Sequence, residues 1–555
     1  STIIIRNDKN IELLTRLSNT SDKAISYFYR KEEVIIVKDK ITKILMNTSL
    51  VLISAYFIYR LIDPYKPRGM LKSQLIVWCL VFAALAVMIM KIADSNKPNR
   101  KAAIQGLDEF KYPAVDKKLM SKKPIGVMFG KYKNRYVCKK PEEDGHVIIL
   151  GGSGSGKSST VIIPMLLCNE AVGSFCIDIK GELSYKASDY ADSSTVIFNP
   201  LDRFSYGYDV FYALNDNSSS QEIYEVVQNV VYSLINIPAN EKNPFWKNSA
   251  RGMLMGLMIN YYKKGTKNFI DIIDLILSKS LKEQIEDIIN EGNTKSNEYK
   301  LLIQFKDLAD DTLSGIVVEL VNSINLFSTD NDIRYSFRDN PKKFNPLMIE
   351  EQKHIFIVIE EYKLMAYNQV LHIIINQALS ELEKRSEDSK QVLFIIDELA
   401  RILSSSKIER LLDAARTLRS RKVNLILATQ SLDSLMIAYS EKEVQDLVAN
   451  CSYKVILDAS NPATEKEIIG WCGKYKARKK SWNTGDKISG KGSISYEETD
   501  IVTEADLMQL RNTGELILIS PYGYNRLKKV PYYEDRYLKE ISDKYINNND
   551  VIKHR

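Results

Sequence analysis

The sequence HVIILGGSGSGKSSTVIIPMLL, residues 146–167, places a glycine- and serine-rich turn between two apolar runs. Residues 147–150 before the turn predict a β-strand, and residues 160–167 after it predict the start of a helix. The turn satisfies the pattern G-x-x-x-x-G-K-[ST] with Gly151, Gly156, Lys157 and Ser158. Because strand, turn and helix occur in this order, the pattern indicates a phosphate-binding loop (P-loop), with an ordinary Gly/Ser-rich turn as the alternative.

The chemistry expected of this loop follows from its residue types. Glycine permits a left-handed backbone and close approach, so successive N–H groups can surround a β-phosphate at a helix N-terminus. Lys157 is expected to reach the β- and γ-phosphates, and the Ser158 hydroxyl is expected to be a Mg²⁺ ligand. The predicted nucleotide-binding residues form one run: Gly151, Gly152, Ser153, Gly154, Ser155, Gly156, Lys157, Ser158 and Ser159.

A second motif, FIIDELA at residues 394–400, places two acids at the end of an apolar run. Asp397 is predicted to lie near the hydration shell of Mg²⁺, and Glu398 is predicted to polarise the attacking water. A hydrophobic strand that ends in two acids is common, so the motif alone is weak evidence. The motif becomes stronger evidence because it follows a P-loop in the sequence and because its two acids come directly after the apolar residues 392–396.

Two further candidates lie beyond the acid pair. Gln430, in LATQS after the next predicted strand, is a candidate sensor of the γ-phosphate, with a helix cap or turn residue as the alternative. Arg416, Arg419 and Arg421 in DAARTLRSRKVN cannot all share one face of a helix. One interpretation is a solvated helix end. The other is an arginine finger that enters the nucleotide site of a neighbouring subunit, for which Arg416 is favoured.

From residue 173 onward, apolar strand-like runs alternate with helical stretches, which predicts an α/β fold with a parallel sheet. The candidate strands are residues 173–183, 194–200, 354–361, 391–399, 423–431, 453–459 and 514–520. Between about residues 216 and 345 the strands stop and the apolar residues take helical spacing. A helical domain is therefore predicted to be inserted into a nucleotide-binding domain that resumes near residue 354.

Two uncharged apolar segments precede these motifs. With their flanks, ILMNTSLVLISAYFIY (44–59) and SQLIVWCLVFAALAVMIM (73–90) predict transmembrane helices over about 44–62 and 73–92, with a buried core hairpin as the alternative. More lysine and arginine residues flank the two apolar segments than lie in the short link between them. Both termini are therefore predicted to face the cytoplasm. The basic excess of residues 1–145 suits anionic lipid head groups, although the same charge also permits nucleic-acid binding.

The composition limits the classes of protein to which this chain can belong. Of 555 residues, 45% are hydrophobic and 26% are charged, which excludes a disordered chain. The charged, mixed N-terminal residues predict no cleavable signal peptide. The predicted segments are an N-terminal cytosolic segment (1–43), a transmembrane hairpin (44–92), a nucleotide-binding domain in two parts (93–215 and 346–535), an inserted all-α domain (216–345) and a C-terminal tail (536–555).

Over nearly its whole length the sequence resembles the type IV coupling proteins of conjugation and type IV secretion, the TraG/TraD-like family. The resemblance is carried by the two apolar segments, by GGSGSGKSS, and by DIKGEL and FNPL after the second and third strands. NPFWKNSA at the start of the helical insert, FIIDELARI and TLRSRKVNLILATQSLDSL extend it. The P-loop and acid pair are generic, whereas DIKGEL, the insert and the last of these runs are together far more specific.

The resemblance implies an inner-membrane-anchored, RecA-like hexameric ATPase that uses ATP and Mg²⁺ and keeps most of its chain in the cytoplasm. The implied activity is the pumping of DNA and attached protein into a secretion channel. The implied partners are single- or double-stranded DNA, relaxase and relaxosome proteins, type IV secretion channel components, membrane lipids and further copies of the chain as a homohexamer.

One segment is a candidate for the DNA contact that a transporter requires. KYKARKKSWNTGDKISGKGS, residues 474–493, is polar, basic and rich in Gly and Ser, and is predicted to be an exposed loop. Sequence-independent contact with phosphates is expected from its cations, with a solvated surface loop as the alternative. These cations are Lys474, Lys476, Arg478, Lys479 and Lys480.

Other functions remain in competition. An FtsK-like chromosome translocase is also a membrane-anchored hexamer, but a C-terminal winged-helix DNA reader is expected of it, and the chain ends soon after the last predicted strand. A nucleotide-gated docking scaffold that recruits cargo without pumping is a further alternative. An ABC transporter is disfavoured because TLSGIVV (312–318) lacks the Gly-Gln of that signature and lies far before Asp397.

Overall fold

The computed structural model describes residues 112–553, apart from residue 170 and residues 238–240, 404–406 and 482–492. The transmembrane helices predicted over about 44–62 and 73–92 lie outside the described residues. Within the described residues, no helix combines the length and the apolar character needed to cross a membrane.

The chain divides into two compact units. The main unit comprises Phe110–Lys476 and Glu498–Arg555, and the other comprises Ser1–Glu109 and Ala477–Glu497. Of the smaller unit, the structure describes only short strand segments on either side of residues 482–492. The fold and the candidate site described below belong to the main unit.

The strands of the described residues are as follows: β1 Met120–Ser121, β2 Val127–Tyr132, β3 Arg135–Lys139, β4 Val147–Leu150, β5 Ser174–Asp178, β6 Thr195–Phe198, β7 Gly207–Tyr208, β8 Lys343–Phe344, β9 His354–Val358, β10 Val392–Ile396, β11 Val423–Thr429, β12 Tyr453–Ile456, β13 Lys474–Ser481, β14 Ser493–Asp500, β15 Glu515–Ser520 and β16 Gly523–Lys528. Each of the seven ranges predicted as strands from residue 173 onward contains one observed strand, although several of these strands are shorter than predicted.

The main sheet has twelve strands in the order β1-β3-β2-β16-β15-β12-β4-β11-β10-β5-β9-β6. Its centre, from β12 to β6, is parallel. Strands β4, β5, β10 and β11 are entirely buried, which explains why they read as continuous apolar runs in the sequence.

The prediction of a parallel sheet is wrong for one side of the molecule. β15 pairs with β12 in the antiparallel sense, and β16, β2, β3 and β1 continue the antiparallel pairing outward. β1, β2, β3 and β16 were missed because they mix charged and exposed residues with apolar ones, as in Arg135–Lys139. The sheet is therefore mixed, with a parallel centre and an antiparallel wing.

The helices of the described residues are as follows: α1 Ile163–Cys168, α2 Glu182–Ala187, α3 Ser220–Leu234, α4 Phe245–Lys263, α5 Phe269–Leu277, α6 Leu281–Asn290, α7 Asn297–Leu302, α8 Asp310–Thr329, α9 Asn331–Arg334, α10 Leu364–Glu383, α11 Leu399–Ile402, α12 Leu411–Thr417, α13 Glu441–Asn450, α14 Pro462–Cys472, α15 Glu504–Thr513 and α16 Arg536–Lys553.

Helices α3 to α9 fall between the short paired strands β7 and β8, within the range 216–345 that the sequence predicts to be helical. Buried aromatic rings join these helices to the sheet. Phe198 of β6 packs edge-on against Phe337 and contacts Phe344, while Phe337 packs against Phe327 of α8. One apolar core therefore continues from the sheet into the helical segment.

Close packing within the helical segment gives a stability prediction. A Cβ on Gly256 of α4 would lie 2.5 Å from Leu302 Cγ of α7, whereas a Cβ on Gly470 of α14 would meet nothing within 4 Å. Both glycines are helical, so alanine gains similar helix propensity at each position. We expect Gly256→Ala to lower the free energy of unfolding by about 1–3 kcal/mol through overpacking.

The matched variant Gly470→Ala is expected to leave stability unchanged or to raise it by up to about 1 kcal/mol. Denaturant unfolding of the two variants, compared with the parent chain, measures both values. Equal changes in the two variants would show that α4 and α7 do not approach as closely as described.

The C-terminal residues 536–555, predicted to be a tail, are mostly helical. Helix α16 packs against α2. Ser542 and Asn549 on α16 are fully buried, and their side chains donate hydrogen bonds to the backbone carbonyls of Lys186 and Tyr185 respectively. The segment is therefore part of the α/β fold.

The prediction of an exposed loop over residues 474–493 is also partly wrong. Residues 474–481 form β13, which pairs with β14 in a two-stranded sheet. The many lysines gave no strand signal, because β-propensity depends on cross-strand neighbours that the local sequence does not reveal.

Candidate nucleotide-binding site

The P-loop has the predicted order of strand, turn and helix. β4 ends at Leu150, a π-helical turn spans Lys157–Ile162, and α1 follows. Gly156 has a φ of 97°, a left-handed conformation that glycine adopts without strain. A Cβ on Gly151 would lie 2.4 Å from the Ser155 Oγ, so the tight turn requires glycine there as well.

The strand order brings the separate sequence motifs together. β11 lies between β4 and β10, and all three are parallel. Their carboxyl ends therefore meet at one edge of the sheet, where the P-loop follows β4, Gln430 follows β11 and the acid pair follows β10. The crevice at the carboxyl ends of parallel strands is where α/β sheets bind ligands.

A cavity of about 230 Å³ occupies this edge. Its walls contain most of the P-loop, both acids of the acid pair, Gln430 and four further residues. The lining residues are Gly152, Ser153, Gly154, Ser155, Gly156, Lys157, Ser158, Ser159, Ile179, Lys180, Glu182, Asp397, Glu398, Arg401 and Gln430. A larger cavity of about 720 Å³ between α3, α10 and α12 contains none of the predicted site residues.

Ser158 and Asp397 are brought into direct contact, with the Ser158 hydroxyl donating a hydrogen bond of 2.9 Å to Asp397 Oδ1. Burial, together with the nearby Asp178, raises the pKa of Asp397 to about 7, although the hydrogen bond from Ser158 opposes the shift. A hydroxyl and a carboxylate are hard oxygen ligands of the kind that Mg²⁺ prefers. A divalent cation between them would also relieve the cost of burying the carboxylate charge, so these residues fit a Mg²⁺ site.

Lys157 and Glu398 form a second contact across the cavity. The buried Lys157 ammonium donates a 2.7 Å hydrogen bond to the Gly151 carbonyl and lies 3.3 Å from Glu398 Oε2. Glu398 Oε1 is buried and makes no hydrogen bond with any described residue. The loop lysine thus holds one carboxylate oxygen, while the other is buried without a hydrogen-bond partner among the described residues.

The backbone of the loop also presents donors to an anion. The Gly152 N–H donates a 2.5 Å hydrogen bond to Asp458 Oδ1. This loop N–H thus binds a carboxylate oxygen, which shows that it can donate to an oxyanion.

The predicted arginine finger and Lys474 do not line this cavity. Arg416 on α12 is half-exposed, and its guanidinium donates to Asp446 of α13 and to Asp413. It does not line the cavity of its own chain. Lys474 on β13 lies 3.9 Å from Asp500 and is exposed. The side chains of Arg478, Lys479 and Lys480 are outside the described residues.

Sequence reasoning missed four residues that line the cavity: Ile179, Lys180, Glu182 and Arg401. The first three belong to DIKGEL, directly after β5, and Arg401 lies one turn beyond the acid pair on α11. The position of DIKGEL after a buried strand was an available signal. What the sequence did not show is that β5 lies beside β10, which is what brings that turn to the nucleotide cavity.

In the parallel centre of the sheet, β11 separates the P-loop strand β4 from the acid-pair strand β10. This arrangement defines a RecA-like P-loop α/β fold. Residues 100–554 match the family model described as "Type IV secretory system Conjugative DNA transfer". The chain belongs to this family.

Curated relatives agree with the family assignment. Protein VirD4 of Rhizobium radiobacter is 21% identical over 424 residues, which cover 72% of this chain and 59% of that protein. Protein VirD4 of Agrobacterium fabrum (strain C58 / ATCC 33970) is 21% identical over 420 residues, which cover 72% of this chain and 60% of that protein. The chain thus spans about three fifths of the length of these relatives.

Solved structures of a plasmid coupling protein share the fold. The unbound bacterial conjugative coupling protein TrwBdeltaN70 aligns with a TM-score of 0.58 at 15% identity, covering 74% of this chain and 89% of that chain. TrwB in complex with ADP and Mg²⁺ aligns with a TM-score of 0.55 at 14% identity, covering 74% and 91%. At such identities the alignment shows the fold alone.

Proposed function

We propose that this chain is a membrane-anchored ATPase that couples a relaxase–DNA substrate, with its attached protein, to a type IV secretion channel and drives its transfer by ATP hydrolysis. Family membership supports the transfer of DNA in a secretion system. The observation that carries the ATPase proposal is the meeting of the P-loop and the acid pair in one cavity.

ATP and Mg²⁺ are the proposed nucleotide and metal. Structures of TrwB are described as complexes with a non-hydrolysable ATP analogue and with ADP and Mg²⁺. In this chain Ser158 and Asp397 would hold the metal, Asp397 partly through water. When bound, Mg²⁺ neutralises charge that develops on the phosphates.

The chain's own residues supply the remaining chemistry. Backbone N–H groups of residues 151–159 bind and orient the phosphates, and Lys157 exchanges its contact with Glu398 for the β- and γ-phosphates. Glu398 is then free to accept a hydrogen bond from the attacking water and to draw off its proton. Gln430, on the adjacent strand end, orients the water or senses loss of the γ-phosphate.

The assembly and the membrane attachment are further parts of the proposal. We assign the anchor to the apolar segments at about 44–62 and 73–92, with the bulk of the chain in the cytoplasm at the inner membrane. A homohexamer would place Arg416 of one subunit near the nucleotide of the next. Its exposure on α12, outside its own nucleotide cavity, suits action on a neighbouring subunit.

DNA binding by the cations of β13 gives a direct test of the proposed substrate. We expect affinity to be nearly independent of sequence and to fall as salt increases, because binding to phosphates releases counterions. Replacing Lys474, Lys476, Arg478, Lys479 and Lys480 by glutamine should reduce the magnitude of the slope of log K against log salt. The reduction should be roughly one for each DNA phosphate that the variant can no longer neutralise.

A matched control replaces five exposed lysines elsewhere on the chain and should leave this slope unchanged. The measurement is fluorescence anisotropy of labelled DNA over a range of salt concentrations. If the β13 variant keeps the parent's slope, these five residues are not part of the DNA-binding surface. A parent chain without any DNA affinity would contradict the proposed substrate.

A further inference from the structure

Three cations line the nucleotide cavity, and two of them already face a carboxylate. Lys157 lies 3.3 Å from Glu398 Oε2, and Arg401 pairs with Glu361. Lys180 is exposed and forms no ion pair with another described residue. Its positive charge is therefore available to an anion that enters the cavity.

The backbone that carries Lys180 is held firmly. Asp178, at the end of β5, is fully buried, and its Oδ2 accepts a 2.8 Å hydrogen bond from the N–H of Ser184 in α2. Gly181, next to Lys180, has a φ of 66°, so the chain reverses sharply between the strand and the helix. The turn is thus fixed at both ends and holds Lys180 at the rim of the cavity.

The register of the sheet places this turn beside the acid pair. Ile177 of β5 is paired with Ile396 of β10, so the residues that follow the two strands, Asp178 and Asp397, are neighbours. The cavity therefore has cations on two sides: Lys157 from the P-loop, and Lys180 from beyond the acid pair. An anion that reaches past the P-loop toward Asp397 and Glu398 approaches Lys180.

We propose that Lys180 is a second phosphate-binding cation, which contacts the terminal phosphate of a bound nucleoside triphosphate and favours it over the diphosphate. This role rests on the proposed ATPase function. The P-loop binds the phosphates that both nucleotides share. Lys180 lies beyond the acid pair from the P-loop, where the additional phosphate of the longer polyphosphate would reach, and there a charge–charge contact is screened less than in open water.

The test is equilibrium binding of a non-hydrolysable ATP analogue and of ADP, each with Mg²⁺, to the full chain. Lys180→Met keeps most of the side-chain length and removes the charge. We expect about tenfold weaker binding of the ATP analogue, the size of a single charge-assisted hydrogen bond, and less than about twofold change for ADP. Lys180→Arg should restore much of the difference, because it restores the charge.

Lys300→Met is the matched control, because Lys300 is an exposed lysine on α7 that does not line the cavity. It should change neither affinity. If Lys180→Met changed the two affinities equally, or changed neither, the proposed role would be overturned while the ATPase proposal stood. A parent chain that binds neither nucleotide would contradict the ATPase proposal and this role together.

Discussion

Replacing Lys157 by alanine, or Glu398 by glutamine, is expected to lower the rate of ATP hydrolysis by about 10³-fold or more. Lys157→Ala removes the cation that would neutralise the phosphates in a buried cavity. Glu398→Gln keeps the shape of the side chain but removes the group that accepts a proton from water. The two variants should differ in binding, because only Lys157→Ala removes a group that binds phosphate.

Steady-state phosphate release measures the rate, and binding of a non-hydrolysable ATP analogue separates the two defects. Glu398→Gln should bind the analogue at least as tightly as the parent chain. Glu182→Gln is a useful control, since Glu182 lines the same cavity but pairs with Lys186 on α2 and is assigned no part in the chemistry. Hydrolysis at the parent's rate by Lys157→Ala or by Glu398→Gln would refute the assigned roles.

Arg416→Ala is expected to reduce hydrolysis by about 10³- to 10⁵-fold if the residue acts as an arginine finger. Arg416→Lys should recover little, because lysine lacks the planar fork of donors. The control is Asp446→Asn. It breaks the main ion pair of Arg416 but leaves the guanidinium in place, so hydrolysis should persist.

Mixing experiments show whether Arg416 acts on the nucleotide of its own subunit or on that of a neighbouring subunit. Arg416→Ala and Lys157→Ala chains should each be inactive, but a mixed ring pairs an intact P-loop in one subunit with an intact Arg416 in the next. Partial recovery of hydrolysis after mixing is the expected result. No recovery in mixed rings whose composition is confirmed by mass would return Arg416 to a structural role on the surface of α12.

The sequence predicted those parts of the site whose residues are adjacent to one another along the chain. The P-loop motif needs only residues 151–159 and their flanks, and the acid pair needs only one apolar strand. The central strands were predictable for a related reason. Val147–Leu150 and Val392–Ile396 are buried on both faces, so their apolar runs are unbroken.

The parts that were missed depend on neighbours distant in sequence. Lys180 and Arg401 reach the nucleotide cavity only because β5, β10 and β11 lie side by side, and no local pattern reports that order. Four strands of the antiparallel wing, β1, β2, β3 and β16, were missed because strands such as Arg135–Lys139 gain stability from their partners. The loop prediction for residues 474–481 fails for the same reason, since a lysine-rich strand has little strand character of its own.

The central claim is that hydrolysis by this chain moves DNA, and release of streptavidin from the end of biotinylated DNA tests it most directly. The full chain is incubated with single-stranded or double-stranded substrate, Mg²⁺ and ATP, and bound streptavidin is followed over time. We expect ATP-dependent release from at least one of the two substrates, and none with Glu398→Gln. Hydrolysis whose rate is unaffected by DNA, with no release from either substrate, would contradict the account and indicate a docking scaffold.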